Sequence, residues 1–224
     1  MTSKTGGEAL VDALIANGID TVFGLPGAQL DPVFAALHDR ANHIKVLHTR
    51  HEQGCAYMAY GYAASTGKTG VAMVVPGPGL LNAGAAIVTA YACHAPMLVI
   101  SGQLRAAMIG KGFGALHEIN DQFGVARTMV KWAGKIMHPD QSSGQVATAL
   151  TEMRRGRIRP TYLESPFDVV GMEAEVGEPI IAQTALPGPT VSPAQIAEVV
   201  AILRNAKRPL IIAGGGAIDA GSGI

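Results

Sequence analysis

Apolar segments of two kinds alternate along the chain. Short runs without polar alternation, such as residues 71–75 and 97–101, are typical of strands buried on both faces of a parallel sheet. Segments with apolar positions at helical spacing lie between them, such as residues 8–16, where Leu10 and Leu14 share one face. This alternation predicts βαβ units and an α/β fold in which helices flank a parallel sheet.

Turn residues divide this pattern into individual elements. Strands are predicted near residues 21–23, 44–48, 71–75, 97–101, 161–163 and 210–213, with a short extended piece around 130–132. Helices are predicted over residues 8–16, 51–65, 81–91, 145–155 and 193–205, and a further helix begins at Asp31-Pro32. Residues 102–114 are glycine-rich and are predicted to form a loop.

The pattern changes after Pro166. Residues 171–192 contain many glycines and prolines with little periodicity, which is typical of an interdomain linker. Residues 1–170 are therefore expected to form the first domain. Residues 193–224 hold one predicted helix, one predicted strand and a glycine turn, so we expect them to be the incomplete beginning of a second α/β domain.

The composition argues against several classes of protein. Hydrophobic residues make up 48% of the 224 and charged residues 15%, which is unlike a disordered chain. Lys+Arg and Asp+Glu are 17 each, so neither a nucleic acid nor a membrane surface is an expected partner. Prolines interrupt the long uncharged stretch 69–103, so this stretch cannot form a single membrane-spanning helix. The N-terminus lacks a signal-peptide core and the chain has two cysteines, so a cytoplasmic location is expected.

Glu52 stands at the start of the predicted helix 51–65, which is otherwise nearly uncharged. The local sequence leaves two interpretations open. The carboxylate either interacts with the helix dipole alone, or serves as a functional group in a poorly solvated site. The pair His51-Glu52 does not match the zinc motif, because Cys55 stands where the second histidine is needed, and no metal site is predicted.

Two glycine-proline turns follow predicted strands, at residues 24–27 and 76–79. In an open parallel sheet, ligands bind beyond the carboxyl ends of the strands. Neither turn has the spacing of a dinucleotide fingerprint or a P-loop, so neither is predicted to hold phosphate in those ways. A purely structural role for both turns is the alternative.

Five segments occur in order along the chain: GIDTVFGLPG (18–27), RHEQGCAYMAYGYA (50–63), PGPGLLN (76–82), PMLVISGQ (96–103) and VKWA (130–133). Together they resemble the thiamine diphosphate-dependent acetolactate synthase/2-keto-acid decarboxylase superfamily. The resemblance covers about residues 1–170, and residues 193–224 resemble the start of that family's central domain.

The resemblance implies a pyrimidine-binding domain over residues 1–170. Glu52 would contact N1′ of the cofactor's aminopyrimidine and assist removal of the thiazolium C2 proton. The other residues implied to line the pyrimidine pocket are Pro26, Gly27, Pro76, Gly79 and Asn82. His117 lies where family synthases often place a polar active-site residue, which implies contact with the substrate; a solvated loop histidine is the alternative.

The implied activity is that of an acetolactate synthase-like transferase, which makes or breaks a C–C bond next to the ketone of a 2-keto acid. Two departures leave alternatives open. Gly27-Ala28 stands where family synthases usually carry Gly-Gly, and Pro76 stands where they carry Ser or Thr. A 2-keto-acid decarboxylase, a dione hydrolase and a non-catalytic assembly module therefore remain as alternatives.

The resemblance also implies cofactors and partners. The family's Gly-Asp-Gly motif for Mg2+ and diphosphate does not occur in the 224 residues, so those ligands are expected in an absent C-terminal domain and this chain alone is expected to be inactive. The family allows FAD in the central domain, which no motif here indicates. Its site lies between two subunits, so a homodimer or homotetramer is expected, with the Ala- and Gly-rich helices 51–65 and 81–91 in contact with the partner. A monomer in which this chain's own sheet covers both helices is the alternative.

Overall fold

The computed structural model describes residues 1–183, 190–215 and 217, and the chain divides into two compact units, residues 1–186 and 187–224. The helices are α1 (Gly6–Ala16), α2 (Asp31–Asp39), α3 (Glu52–Thr66), α4 (Pro78–Ala92), α5 (Gln122–Met129), α6 (Gln141–Arg154), α7 (Phe167–Val170) and α8 (Pro193–Asn205). The strands are β1 (Thr2–Thr5), β2 (Thr21–Gly24), β3 (Lys45–His48), β4 (Gly70–Val74), β5 (Met97–Gln103), β6 (Trp132–Lys135), β7 (Thr161–Pro166) and β8 (Glu173–Val176). Within these described residues, no helix is both long and apolar enough to cross a membrane.

Six strands of the first unit form one parallel sheet in the order β3-β2-β4-β5-β7-β6. Every residue of β4, β5 and β7 is buried, because these three strands are inner strands of the sheet and helices cover both faces. That burial explains their lack of polar alternation. The predicted α/β class, a parallel sheet flanked by helices, is confirmed.

The two faces of the sheet are packed by side chains of different size. One face meets α1, α2 and α6 through large aliphatic residues such as Leu10, Leu37 and Leu150. The other meets α3, α4 and α5 largely through alanines. The small residues let α3 lie very close to the sheet: a Cβ at Gly70 would lie 2.0 Å from the carbonyl oxygen of Ala59.

Several elements differ from the sequence prediction. β8 lies within the stretch interpreted as a linker and pairs with β1 in a separate antiparallel sheet, with Thr5 opposite Glu173. The short helices α5 and α7 were not predicted. The prediction of a strand at 210–213 is wrong, because the described residues of the second unit contain no strand. A strand needs a neighbouring strand to form hydrogen bonds with its backbone groups.

The sheet order brings three loops together at one edge. β3, β2 and β4 are adjacent and parallel, so the segments that leave their carboxyl ends start side by side. These segments carry Glu52 after β3, Pro26-Gly27 after β2 and the 76–79 turn after β4. The fold therefore gathers most of the predicted site residues at the edge where open α/β sheets bind ligands.

Candidate active site

Glu52 is the first residue of α3, in the turn where backbone N–H groups have no partner within the helix. His51 caps the helix, since its Nδ1 accepts a hydrogen bond from the N–H of Gln53 at 3.1 Å. The Glu52 carboxylate points across to α4, where Asn82 Nδ2 donates to its Oε2 at 3.0 Å. The amide of Asn82 thus orients one carboxylate oxygen and leaves the other for a different partner.

The second turn places Gly79 beside that other oxygen. A Cβ at Gly79 would lie 3.5 Å from Oε1 of Glu52 and 2.6 Å from Cγ2 of Val75. The missing side chain therefore leaves the Glu52 carboxylate uncovered on the side of α4. Glu52, Gly79 and Asn82, three of the predicted site residues, lie together where α3 and α4 begin.

The first turn meets the second across Val75. A Cβ at Gly27 would lie 2.4 Å from Cγ1 of Val75, the methyl group next to the one that faces Gly79. Pro26 immediately precedes Gly27, and Pro76 directs its Cδ toward Gly102 at the end of β5. Gly27 therefore packs against the same valine as Gly79, and Pro76 Cδ lies 3.3 Å from the position that a Cβ of Gly102 would take.

His117 approaches from the long loop between β5 and α5. Its Nδ1 lies 3.2 Å from Oε1 of Gln29, which sequence reasoning had missed. Gln29 is buried and, with Leu116, lines a cavity of about 220 Å³. Arg105 lies at the same cavity, with its guanidinium 5.5 Å from the ring centre of Phe167. The cavity is mainly apolar with one cation at its rim.

A buried polar cluster behind the 76–79 turn was also missed. Gln122, Tyr162 and Glu164 are each at most 3% exposed, and the Tyr162 hydroxyl donates to Glu164 Oε2 at 2.9 Å. Burial raises the pKa of Tyr162 well above its usual range, so the hydroxyl stays protonated. One sequence signal could have found the cluster: Glu164 is a charged residue within a strand that is otherwise buried and uncharged.

The comparison with protein families matches residues 4–125 to the family of thiamine pyrophosphate enzymes, over their N-terminal TPP binding domain. The match covers more than half of the chain and includes every predicted site residue from Pro26 to His117. The chain belongs to this family. Its members are named for the cofactor that the five sequence segments had indicated.

Curated relatives align with almost the whole chain. A probable 2-ketoarginine decarboxylase of Pseudomonas aeruginosa is 39% identical over 222 residues, which are 98% of this chain and 39% of the relative. A probable acetolactate synthase large subunit of Methanocaldococcus jannaschii is 35% identical over 97% of this chain and 37% of its own length. The acetolactate synthase isozyme 3 large subunit of Escherichia coli is 33% identical over 99% of this chain and 38% of its own length. The chain spans about two fifths of the length of these relatives.

Proposed function

We propose that this chain is the pyrimidine-binding side of a thiamine diphosphate-dependent enzyme that makes or breaks a C–C bond next to a ketone, in the manner of an acetolactate synthase. Because the chain belongs to this family, one observation is enough to support the proposal. The Glu52 carboxylate is held by Asn82 through one oxygen, while the other oxygen is left uncovered by the glycine at position 79.

The residues present fit an aminopyrimidine. A ring nitrogen that carries or accepts a proton needs a single carboxylate oxygen in a fixed direction, and Asn82 fixes Glu52 in this way. The position that a Cβ of residue 79 would take lies 3.5 Å from Oε1, so glycine leaves room for a flat ring beside the carboxylate. When bound, thiamine diphosphate supplies a carbon nucleophile and an electron sink for cleaving bonds next to a carbonyl.

The roles of this chain follow from that arrangement. Glu52 would hold a proton at N1′ of the pyrimidine, Asn82 would orient Glu52, and the two turns with Pro26, Gly27, Pro76 and Gly79 would form the walls. His117, whose Nδ1 lies 3.2 Å from Oε1 of the cavity residue Gln29, would contact the substrate rather than the cofactor. We place the Mg2+ and diphosphate ligands in a part of the protein outside these residues, and residues 193–224 at the beginning of a central domain.

A 2-keto-acid decarboxylase is the second candidate. The relative from Pseudomonas aeruginosa, described as a probable decarboxylase of this kind, is 39% identical to the chain, compared with 33–36% for three acetolactate synthase large subunits. The two candidates share the step that releases CO2 and differ in what accepts the remaining fragment. A screen of 2-keto acids with the full-length protein would distinguish them, because a synthase consumes two keto acids per product and a decarboxylase releases one aldehyde.

The test of the central proposal is the variant Glu52→Gln in the full-length protein, which keeps the shape of the side chain and removes its charge. Assistance to proton transfer is worth about 10²–10⁴-fold, so exchange of the C2 proton of bound thiamine diphosphate should slow by at least about 100-fold. Glu175→Gln, on the exposed surface of β8, is the matched control and should leave exchange unchanged. Exchange at the wild-type rate in Glu52→Gln would refute the assignment.

We also propose that a second subunit covers the α3–α4 face. Apolar side chains remain exposed there, including Leu81 at 51% and Val88 at 46%, and the face adjoins Glu52 and Asn82. An exposed apolar surface of this kind marks an interaction site, and a two-fold homodimer is its commonest use. Light scattering of Val88→Glu should show dissociation at concentrations where the wild type is dimeric or tetrameric. A wild type that is monomeric at every concentration would contradict this arrangement.

A further inference from the structure

Gln122 is the first residue of α5, and both the oxygen and the nitrogen of its side-chain amide have hydrogen-bond partners inside the protein. It is 3% exposed. Its Oε1 accepts a hydrogen bond from the N–H of Gly77 at 2.8 Å, and its Nε2 lies 3.0 Å from the carbonyl oxygen of Gly102. The same Nε2 lies 3.1 Å from the Tyr162 hydroxyl and from Oε2 of Glu164. Gln122 therefore connects the turn after β4 with the ends of β5 and β7.

The groups around Gln122 determine which way its amide points. The Gly102 carbonyl can only accept a hydrogen bond, and Glu164 Oε2 already accepts one from the Tyr162 hydroxyl, so the NH₂ group faces both oxygens. The amide oxygen is then directed to the opposite side, where the N–H of Gly77 is the donor. The Tyr162 hydroxyl also donates to Glu164 Oε2, and Lys135 Nζ lies 3.5 Å from the other oxygen of that carboxylate. The buried Glu164 thus fixes the orientation of Gln122.

Gly77 adopts a backbone conformation that needs support. Its φ of 57° and ψ of −113° are open to glycine and strained for other residues. A Cβ there would lie 2.3 Å from the carbonyl oxygen of His117, so the His117 backbone closes on one side of the turn. The Gly77 carbonyl accepts from Leu81 in the first turn of α4, which leaves its N–H pointing away from the helix toward Gln122.

This conformation sets the start of α4. Gly77 caps the helix, Gly79 lies in its first turn, and Asn82 follows one turn later. We propose that Gln122 is a positioning residue that, aligned by Glu164 and the Gly102 carbonyl, holds the Gly77 N–H and thereby fixes Gly79 and Asn82 against Glu52. The part of this inference that concerns the cofactor rests on the proposed function, whereas the part that concerns the turn does not.

The test compares Gln122→Met with Tyr162→Phe in the full-length protein. Methionine keeps the length of glutamine and removes both its donor and its acceptor. Phenylalanine removes one hydroxyl from the same cluster and leaves the bond between Gln122 and Gly77. Amide hydrogen exchange of the peptide that contains Gly77, measured without cofactor, should become faster in Gln122→Met and stay near the wild-type rate in Tyr162→Phe.

Affinity for thiamine diphosphate with Mg2+ is the second measurement. Gln122→Met should weaken it by about tenfold, the value of one hydrogen bond, and Tyr162→Phe by less than about threefold. Equal losses of affinity in the two variants, or wild-type exchange at Gly77 in Gln122→Met, would overturn the proposal. If Gln122→Met does not fold, Gln122→Asn replaces it, because its shorter amide can remain beside Glu164 without reaching Gly77. A wild type that binds no thiamine diphosphate refutes the proposed function, and amide exchange then decides the role of Gln122 by itself.

Discussion

Val75 lies between the two turns of the candidate site, and one of its methyl groups faces each of the glycines Gly27 and Gly79. Substitutions at these three positions can therefore test how the turns pack. An alanine at position 27 would place its Cβ 2.4 Å from Cγ1 of Val75, and one at position 79 would place it 2.6 Å from Cγ2. Carbon atoms in contact prefer about 3.5–4.0 Å, so either substitution requires a shift of about 1 Å in a buried region. We expect Gly27→Ala and Gly79→Ala each to lower the free energy of unfolding by about 1–3 kcal/mol.

Removing the valine methyl groups should relieve both contacts. After Val75→Ala, the remaining Cβ of residue 75 lies 3.7 Å from the added carbon at position 27 and 3.5 Å from the one at position 79, which are ordinary contacts. Val75→Ala alone loses two buried methyl groups, at about 0.8 kcal/mol each. Each double variant should then be about as stable as Val75→Ala, which corresponds to a coupling energy of about 1–3 kcal/mol.

The affinity for thiamine diphosphate should differ between the two double variants. In Gly27→Ala/Val75→Ala the added methyl group occupies the volume that a valine methyl had filled, so cofactor binding should recover. In Gly79→Ala/Val75→Ala the methyl group still lies 3.5 Å from Oε1 of Glu52, so it covers the carboxylate and binding should stay weak.

Urea unfolding of the apo-protein gives the stabilities of the wild type, the three single variants and the two double variants, and calorimetric titration gives their cofactor affinities. Additive losses of stability would refute the packing argument for Val75. Failure of Gly27→Ala/Val75→Ala to bind would mean that the methyl group at position 27 itself occupies cofactor space, so that this glycine is required by the ligand and not by the valine.

Three further outcomes follow from other contacts. Gly70→Ala should lower the melting temperature and weaken cofactor binding, because its Cβ would press on the Ala59 carbonyl of the helix that carries Glu52; Gly61→Ala, with open space at its Cβ, should stabilise α3, and equal effects would contradict the close approach. Hydrogen bonds from Lys68 and Tyr62 lower the pKa of Asp20 to about 2, so their stabilising effect is present above about pH 4 and is lost as the pH falls toward 2. Because Asp20 and Lys68 are about half exposed, Asp20→Asn should cost less than about 1 kcal/mol at pH 7 and only a small part of that at pH 2, where the folded-state carboxyl is about half protonated; melting temperatures that differ equally at both pH values would contradict this. His117→Ala should change the preference among 2-keto acids without changing cofactor affinity, and unchanged kinetics on every accepted substrate would remove His117 from the site.

The sequence predicted best those parts of the fold in which neighbouring residues carry the signal. β4 and β5 are buried on both faces and therefore read as continuous apolar runs, and the turns that follow α3 and precede α4 contain Gly67 and Gly77. The sheet of β1 and β8 carries no such signal, because Thr2–Thr5 is polar and its partner lies about 170 residues away. Pairing at that distance depends on the completed fold and not on local pattern.

In the candidate site, too, only the features with a local signal in the sequence could be predicted. An interaction of Glu52 with the helix dipole was predictable from its position at the start of a helix, but its hydrogen bond to Asn82 joins residues 30 positions apart on two different helices. Gln29 and Gln122 lie in segments without regular periodicity, and nothing near them in sequence indicates that they are buried. Buried amides of this kind become recognisable only when their partners, His117 and Gly77, are brought to them by the fold.

The glycines of the two turns are therefore needed mainly for packing, whereas the polar groups of the site are needed for its chemistry in the proposed function. Gly27 and Gly77 leave space for protein atoms, namely a methyl group of Val75 and the carbonyl of His117, and so secure the shape of the turns before any ligand is present. Gly79 meets Val75 as well, but it also borders Glu52, so among the three it alone would have, in the proposed function, both a packing and a ligand-facing reason to lack a side chain. A sequence can consequently keep the turn motifs for packing alone, whereas in the proposed function the chemistry would depend on Glu52 and Asn82 and the choice of substrate on residues near His117. Such a separation would allow one framework to serve relatives described as synthases and as a decarboxylase.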